Sequence, residues 1–281
     1  MMVAICGAGT MGRGIALSSL LGDHAVIMTD QNGPALDQAS AYIAKQLQSS
    51  VDKGRITAEQ QTAMLSRLRT TTDLQDVSDA DLVIEAIVER LEVKHELFRA
   101  LESICRPTCI LSSNTSSISI SALARCLVDP SRFVGLHFFN PAHIMKLVEV
   151  VSGMLTSADV IETVTEFARG LGKTTVLAKD APGFIVNRVA RNFYNESQRI
   201  VMEGAATVEQ TDRCMKALGF KMGPFELMDL IGVDVNLDVT TSMWGQLFYE
   251  PRFTPSLLQQ QMVHGGLFGR KTGRGFYPYE S

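Results

Sequence analysis

The sequence predicts an α/β fold: a mostly parallel, helix-flanked sheet followed by an all-α domain. Three observations predict it. An apolar run at the N-terminus, Met2 to Cys6, leads at once into Gly7-Ala8-Gly9-Thr10-Met11-Gly12. Short apolar runs then alternate with helical spacing as far as Ala178. From Phe184 onward the pattern is helical almost throughout.

The first run reads as a strand, the residues up to Leu21 as a helix, and His24 to Thr29 as a second strand ending in Asp30. Strand, GxGxxG, helix, strand and terminal acid make a Rossmann-type dinucleotide-binding unit. Gly7 permits the tight turn, Gly9 lets a pyrophosphate approach the backbone, and Gly12 lets helix and strand pack closely. Thr10 and Met11 open the helix, where unpaired N–H groups and the dipole favour phosphate. Asp30 can accept from the adenine ribose 2′-hydroxyl and would repel a 2′-phosphate, which favours NAD over NADP. Arg13 is either a phosphate contact or a solvated charge.

Residues 34 to 69, polar and Gln-rich, read as an inserted helical hairpin broken at Lys53-Gly54-Arg55, with Thr57 to Gln60 as a capping box. Lys53 and Arg55 at its tip are solvated charges or partners for a phosphorylated ligand. Asp81 to Glu85 and Ile110 to Ser113 resume the sheet, with a helix from Leu91 to Ile104 between them. Ligands of open parallel sheets lie beyond the carboxyl ends of the strands. Glu89, Lys94, Asn114 and Ser116 therefore fall near the cofactor. Asn114 to Ser117 are equally good as a helix N-cap.

The stretch Arg132 to Val151 holds two apolar runs, separated by a turn at Asn140-Pro141-Ala142. They read as two buried strands, one carrying His137 and the other Glu149. A histidine oriented by a carboxylate can act as a proton-transfer unit near neutral pH. The same pair is consistent with a core histidine beside a strand-end glutamate. Ser157 to Gly172 then reads as a helix and Thr174 to Ala178 as a last strand.

Lys179 to Gly183 marks a break, dividing the chain into domains at 1–181 and 182–281. In the second, Ile185, Val189, Phe193, Ile200 and Val201 share one helix side, and Thr207 opens another capping box. The run Pro224 to Val235 is too apolar for a free surface helix. So much apolar helical surface suggests a dimerisation domain, hence a homodimer. Gly265 to Thr272 resembles a P-loop, but its spacing is wrong and no helix pattern follows.

The chain of 281 residues is 46% apolar and 20% charged, ordinary for a globular protein. A net charge of −4 gives no reason to expect nucleic acid or an acidic membrane as partner. Five scattered cysteines, without metal-ligand spacing, read as reduced thiols and no metal is expected. No apolar run approaches the roughly 18 residues needed to cross a bilayer. With no leader pattern, a cytoplasmic location is expected, or an organelle location after removal of a transit segment.

Together GAGTMGRGIA (Gly7–Ala16), EAIVE (Glu85–Glu89), SNTSS (Ser113–Ser117), HFFNP (His137–Pro141), KLVEVV (Lys146–Val151), DAPGFIVNR (Asp180–Arg188), MGPFEL (Met222–Leu227) and GRKTGRGFY (Gly269–Tyr277) resemble the L-3-hydroxyacyl-CoA dehydrogenase family over essentially the whole chain. The resemblance implies oxidation of the 3-hydroxyl of an acyl-CoA, with hydride passing to NAD. It implies His137 as catalytic base, Glu149 as its partner, and Ser116 and Asn187 near the substrate oxygens in an interdomain cleft. Gly7, Gly9, Gly12, Asp30, Glu89, Lys94, Asn114, Asn140 and Lys271 match cofactor positions, and Lys53 matches a CoA-phosphate lysine. Ala142-His143-Ile144 departs from the family's usual Val-Pro-Val. Leu230 to Asn236 also resembles members acting on 3-hydroxyadipyl-CoA, whose ω-carboxylate would want Arg188, Arg191, Lys216 or Lys221. Short-chain substrates such as 3-hydroxybutyryl-CoA are the first expectation. Rivals on the same scaffold are a gulonate-type hydroxyacid dehydrogenase and a non-catalytic NAD-binding protein, such as a crystallin or redox sensor.

Overall fold

A computed structural model describes residues 1–280, which fold as two compact units, 1–181 and 182–280. The first unit is built on an eight-stranded sheet in the order β3-β2-β1-β4-β5-β6-β7-β8. Its strands are β1 (Met2–Cys6), β2 (Ala25–Thr29), β3 (Leu68–Thr71), β4 (Leu82–Glu85), β5 (Ile110–Ser113), β6 (Phe133–Phe138), β7 (Leu147–Ser152) and β8 (Thr174–Lys179). Every pairing is parallel except β6 with β7. The order reverses between β1 and β4, which opens a crevice at their carboxyl ends.

The helices follow from apolar spacing and caps. They are α1 (Thr10–Leu21), α2 (Gly33–Asp52), α3 (Ala58–Ser66), α4 (Leu91–Ile104), α5 (Ile120–Ala124) and α6 (Ala158–Gly170). The Thr57/Gln60 capping box forms in full, with both reciprocal bonds present at the start of α3. The hairpin is shorter than the sequence pattern suggested. Leu68–Thr71 leaves it to become β3, which pairs with β2. Its residues, Leu-Arg-Thr-Thr, carry little apolar signal because an edge strand is half solvated.

Alternation along β6 and β7 sets up the site. Val134, Leu136 and Phe138, with Val148 and Val150, join the core under α1, α2 and α6. The odd-numbered positions therefore face the other side, where α4 brings Phe98 edge-on to Phe133 at 4.7 Å. His137 and Glu149 belong to that side. Gly135, on it too, is required by close approach: a Cβ there would lie 2.7 Å from Cδ1 of Ile120 on α5.

The second unit is helical: α7 (Val186–Met202), α8 (Val208–Ala217), α9 (Pro224–Ile231), α10 (Val233–Gln246) and α11 (Leu257–His264). The apolar side expected to bury α7 does so only in part: Phe193 and Val201 are half-buried against the cluster of Tyr194, Phe225 and Met228. Val189 is 67% and Ile185 40% exposed, whereas Arg191, Tyr194, Asn195, Ser197 and Gln198 are buried. The apolar run at α9 is split in the same way, with Phe225 and Met228 buried but Leu230, Ile231 and Val235 exposed. Arg270–Thr272 forms only a single 3-10 turn after the glycine-rich segment.

Candidate active site

The antiparallel register puts His137 directly opposite Glu149. Side chains opposite one another on one sheet face are neighbours, and here they bond: Nδ1 of His137 lies 2.7 Å from Oε2 of Glu149. Both are buried. A carboxylate beside a ring nitrogen favours the proton there, so Nδ1 donates to Glu149. Asn114, just beyond β5, accepts from the Phe138 N–H at 2.8 Å. The loop after β5 is thereby tied to the residue following the histidine.

The crevice at the switch point is a cavity of about 740 Å³, lined by the ends of β1, β2 and β4 and by α4. Its volume lies in the range of cofactor pockets. Gly7, at φ 109°, would drive a Cβ to 2.6 Å from the Ala86 carbonyl, and a Cβ on Gly12 would lie 1.8 Å from the Gly7 oxygen. Gly9 has nothing within 4 Å, so its surface is open to a ligand. The first backbone bond inside α1 is Arg13 N–H to Gly9 O at 3.0 Å. The N–H groups of Thr10, Met11 and Gly12 precede it, at the positive end of the helix. Asp30 accepts from Ala8 N–H at 2.8 Å and Asn32 N–H at 2.9 Å, which holds its carboxylate at the glycine loop. An open glycine, unpaired helix N–H groups and an oriented acid fit a dinucleotide. Arg13 faces elsewhere, its guanidinium stacked 4.2 Å from the Tyr42 ring.

Past β4, the Glu89 carboxylate accepts from Thr115 Oγ1 at 2.5 Å, Ser116 N–H at 3.1 Å and Ser117 Oγ at 3.0 Å. Burial raises its pKa, but the Lys94 charge and these hydrogen bonds outweigh it and hold it below the usual range. Lys94 is itself enclosed, its ammonium 2.5 Å from Glu85 and 3.1 Å from Glu89. As placed, Lys94 touches these two carboxylates and presents no open face to a ligand.

Residues 2–181 match the 3-hydroxyacyl-CoA dehydrogenase NAD-binding domain, and residues 183–279 match the C-terminal domain of the same enzymes. The chain belongs to the 3-hydroxyacyl-CoA dehydrogenase family. It is 48% identical to the 3-hydroxyadipyl-CoA dehydrogenase of Escherichia coli K12 over 280 residues, 99% of this chain and 59% of that one. It is 43% identical to a probable 3-hydroxybutyryl-CoA dehydrogenase of Deinococcus radiodurans, covering 99% of this chain and 100% of the relative. Among solved structures, the (S)-3-hydroxybutyryl-CoA dehydrogenase of Ralstonia eutropha superposes with a TM-score of 0.96 at 37% identity, over 100% of this chain and 99% of that one.

For a member of this family the remaining expected residues are placed as follows. Lys53 caps α2 at the hairpin tip and is exposed. Ser116 is half-buried and Asn140 exposed. In the second unit, Asn187 lies half-buried in the first turn of α7, and Lys271 is held by Asp234 at 2.6 Å. His143 stands edge-on to Tyr42 at 6.1 Å. Two residues escaped the sequence reading. Glu85 looked like a strand end but is fully buried, bonded to Lys94, Ser113 Oγ and Ile87 N–H. Asp180 looked like a linker acid, yet it caps α5 by accepting from Ser119 Oγ, Ile120 N–H and Ser121 N–H. A long sequence separation hid both, for neither has a local pattern.

Proposed function

We propose that this chain interconverts short (S)-3-hydroxyacyl-CoA and 3-oxoacyl-CoA, with the His137–Glu149 pair as the proton-transfer unit. The observation that carries the reading is the buried 2.7 Å contact between Nδ1 and the Glu149 carboxylate. In the oxidative direction Nε2 of His137 takes the proton of the C3 hydroxyl as the C3 hydrogen leaves with its electron pair. Glu149 keeps the ring oriented and stabilises the imidazolium that results. NAD, when bound, supplies the acceptor for that hydride. Gly7, Gly9, Gly12 and the N–H groups of Thr10 and Met11 would hold its pyrophosphate, Asp30 its adenine ribose, and Glu89, Asn114, Asn140 and Lys271 its remaining polar groups. Lys94 supports Glu89 by charge. Ser116 and Asn187 would donate to the substrate oxygens, where negative charge develops during reduction. Exposed Lys53 is suited to a CoA phosphate.

The exposed apolar side chains Ile185, Val189, Leu230, Ile231 and Val235 support a homodimer formed through the second unit. No helix among the described residues is long and apolar enough to cross a membrane, and we place the protein in the cytoplasm. An acyl chain ending in a second carboxylate, as named for the Escherichia coli relative, is the second reading, and buried Arg191 favours it. The reaction is tested by NADH absorbance with acetoacetyl-CoA, using free acetoacetate as control. Oxidation with the thioester alone supports the acyl-CoA reading. Turnover of the free acid at the same rate would replace it with a hydroxyacid dehydrogenase.

A further inference from the structure

His137 projects on the α4 side of the sheet, whereas α2, which ends at Lys53, packs on the opposite side over Leu136 and Phe138. A thioester with its reacting carbon at His137 and a nucleotide phosphate at Lys53 therefore crosses the carboxyl edge of the sheet. The loop between β6 and β7 lies at that edge, and it is braced from several sides. Ile144 and Met145 both donate their N–H groups to the Pro141 carbonyl at 2.9 Å. Lys173 Nζ donates to the Ala142 and Met145 carbonyls at 2.6 and 2.9 Å. Ala142 is buried against Gly14 of α1, where an added Cβ would come within 3.2 Å of it. His143 then stands edge-on to Tyr42 of α2 at 6.1 Å, and the Arg13 guanidinium, 4.2 Å from the Tyr42 centroid, holds that ring.

One end of the imidazole is uncommitted. Nδ1 is enclosed without a partner among the described residues, whereas Nε2, equally without one, is not enclosed. A charged ring would need a second N–H at the enclosed position, and burial and the Lys173 charge both hold the imidazole below its ordinary 6.5. His143 is thus a neutral ring with its proton on Nε2, a single donor turned outward. Beside it Ile144 is 64% and Met145 41% exposed. A neutral donor set in exposed apolar surface suits an amide carbonyl on an aliphatic chain better than a phosphate. Tyr42 and Lys53 lie three turns apart on one stripe of α2, roughly 16 Å along its axis. The arm of coenzyme A that joins sulfur to nucleotide alternates amides with aliphatic groups, and extended it covers such a distance.

We infer that His143 Nε2 donates to the pantetheine amide carbonyl farther from sulfur, with Ile144 and Met145 against the adjoining dimethyl carbon. The inference rests on the acyl-CoA reading and adds a residue that selects the carrier rather than the acyl chain. Proline, the usual residue here in the family, has no side-chain donor. His143 therefore supplies a contact that the usual Val-Pro-Val pattern lacks.

The test follows NADH-linked reduction of acetoacetyl-CoA, acetoacetyl-pantetheine and acetoacetyl-N-acetylcysteamine, the last of which keeps only the amide next to sulfur. His143→Phe retains an edge for Tyr42 and loses the donor. It should raise KM for the first two thioesters roughly 5-fold, the scale of one neutral hydrogen bond, with kcat unchanged. For the third, kcat/KM should not move. His143→Gln, which restores an N–H donor, should recover most of the loss. His143→Pro should behave as His143→Phe does, and it carries the test if His143→Phe fails to fold by circular dichroism. An equal loss on all three thioesters, or a loss in kcat alone, would reduce His143 to a brace for its loop. No change on any of them would remove it from binding. Reduction of none of the thioesters by wild type, with NADH binding intact, would overturn the acyl-CoA reading itself.

Discussion

The two units bury different things. In the first, helices α1, α2 and α6 meet the sheet through one apolar core rich in Val, Ile, Leu and Phe, and most buried polar groups gather near the carboxyl edge of the parallel strands. In the second, buried polar side chains outnumber buried apolar ones, among which Tyr194, Phe225 and Met228 pack as one cluster. Asp229 accepts from Phe276 N–H, Tyr277 N–H and Tyr279 O–H, each at 3.0 Å, and Asp212 accepts from Phe225 N–H, Glu226 N–H and Tyr277 O–H. These two acids pin the C-terminal segment to α8 and α9. The lesson is that a buried polar group has different work in each unit. In the first it lies beside an independent apolar core. In the second it shares the core with Phe225, Met228, Val233 and Met243, while other apolar side chains stay exposed.

That contrast can be broken, most severely at His137. His137→Gln is expected to keep NADH binding and thermal stability but to lower kcat roughly 1,000-fold, the scale of general acid–base catalysis. Steady-state turnover beside a melting curve checks this, and loss of stability without loss of turnover would reverse the assignment. Asp229→Ala should do the opposite. It leaves buried donors unpaired and is expected to cost about 3 kcal/mol. Hydrogen exchange should then show loss of protection in the second unit before the first.

Asp30→Ala sharpens the comparison inside the first unit. NADH binding should weaken roughly 10-fold, with a narrower lead over NADPH, as expected for one charged hydrogen bond. Fluorescence titration with both nucleotides measures it. An unchanged preference would remove Asp30 from ribose recognition.

The smallest effect concerns pH, and it has opposite signs in the two units. Glu89 sits below its ordinary 4.5. Its stabilisation is therefore present above that pH and is lost as the pH falls through the lowered value. Burial raises Asp212 above its ordinary 3.8 despite its hydrogen bonds. Its contribution is complete below 3.8 and declines as the pH rises through the raised value. Glu89→Gln should thus flatten the acid-side loss in the first unit, and Asp212→Asn the decline with rising pH in the second. Amide exchange across the acid range reads both slopes.

Much of the first unit was legible because its signals are local. Short apolar runs marked β6 and β7, so that a histidine and a carboxylate on neighbouring strands could be expected before their register was known. GxGxxG followed by Asp30 announced the turn, the helix N-terminus and the acid within one βαβ unit. β3 was not legible, since an edge strand with one solvated face has no apolar run to show. Glu85 and Asp180 were missed because their partners come from distant elements that only the packed sheet brings together.

The second unit shows the limit most clearly. Its helices and its Thr207/Gln210 cap follow from spacing and from local hydrogen-bonding chemistry. Which side of α7 is buried does not. A hydrophobic stripe marks a surface that seeks cover, without naming the cover. Here Asn236, Thr240 and Gln259 meet the polar side of α7 and its neighbours, and so satisfy a face that water would otherwise hold. The sequence by itself determined most of the elements, the dinucleotide motif and the residue types of the site. The tertiary structure alone decided that His137 and Glu149 bond, that Lys94 is enclosed, and that Arg191 is buried without a counter-charge. Those outcomes depend on contacts between residues far apart in the chain, which no local pattern encodes.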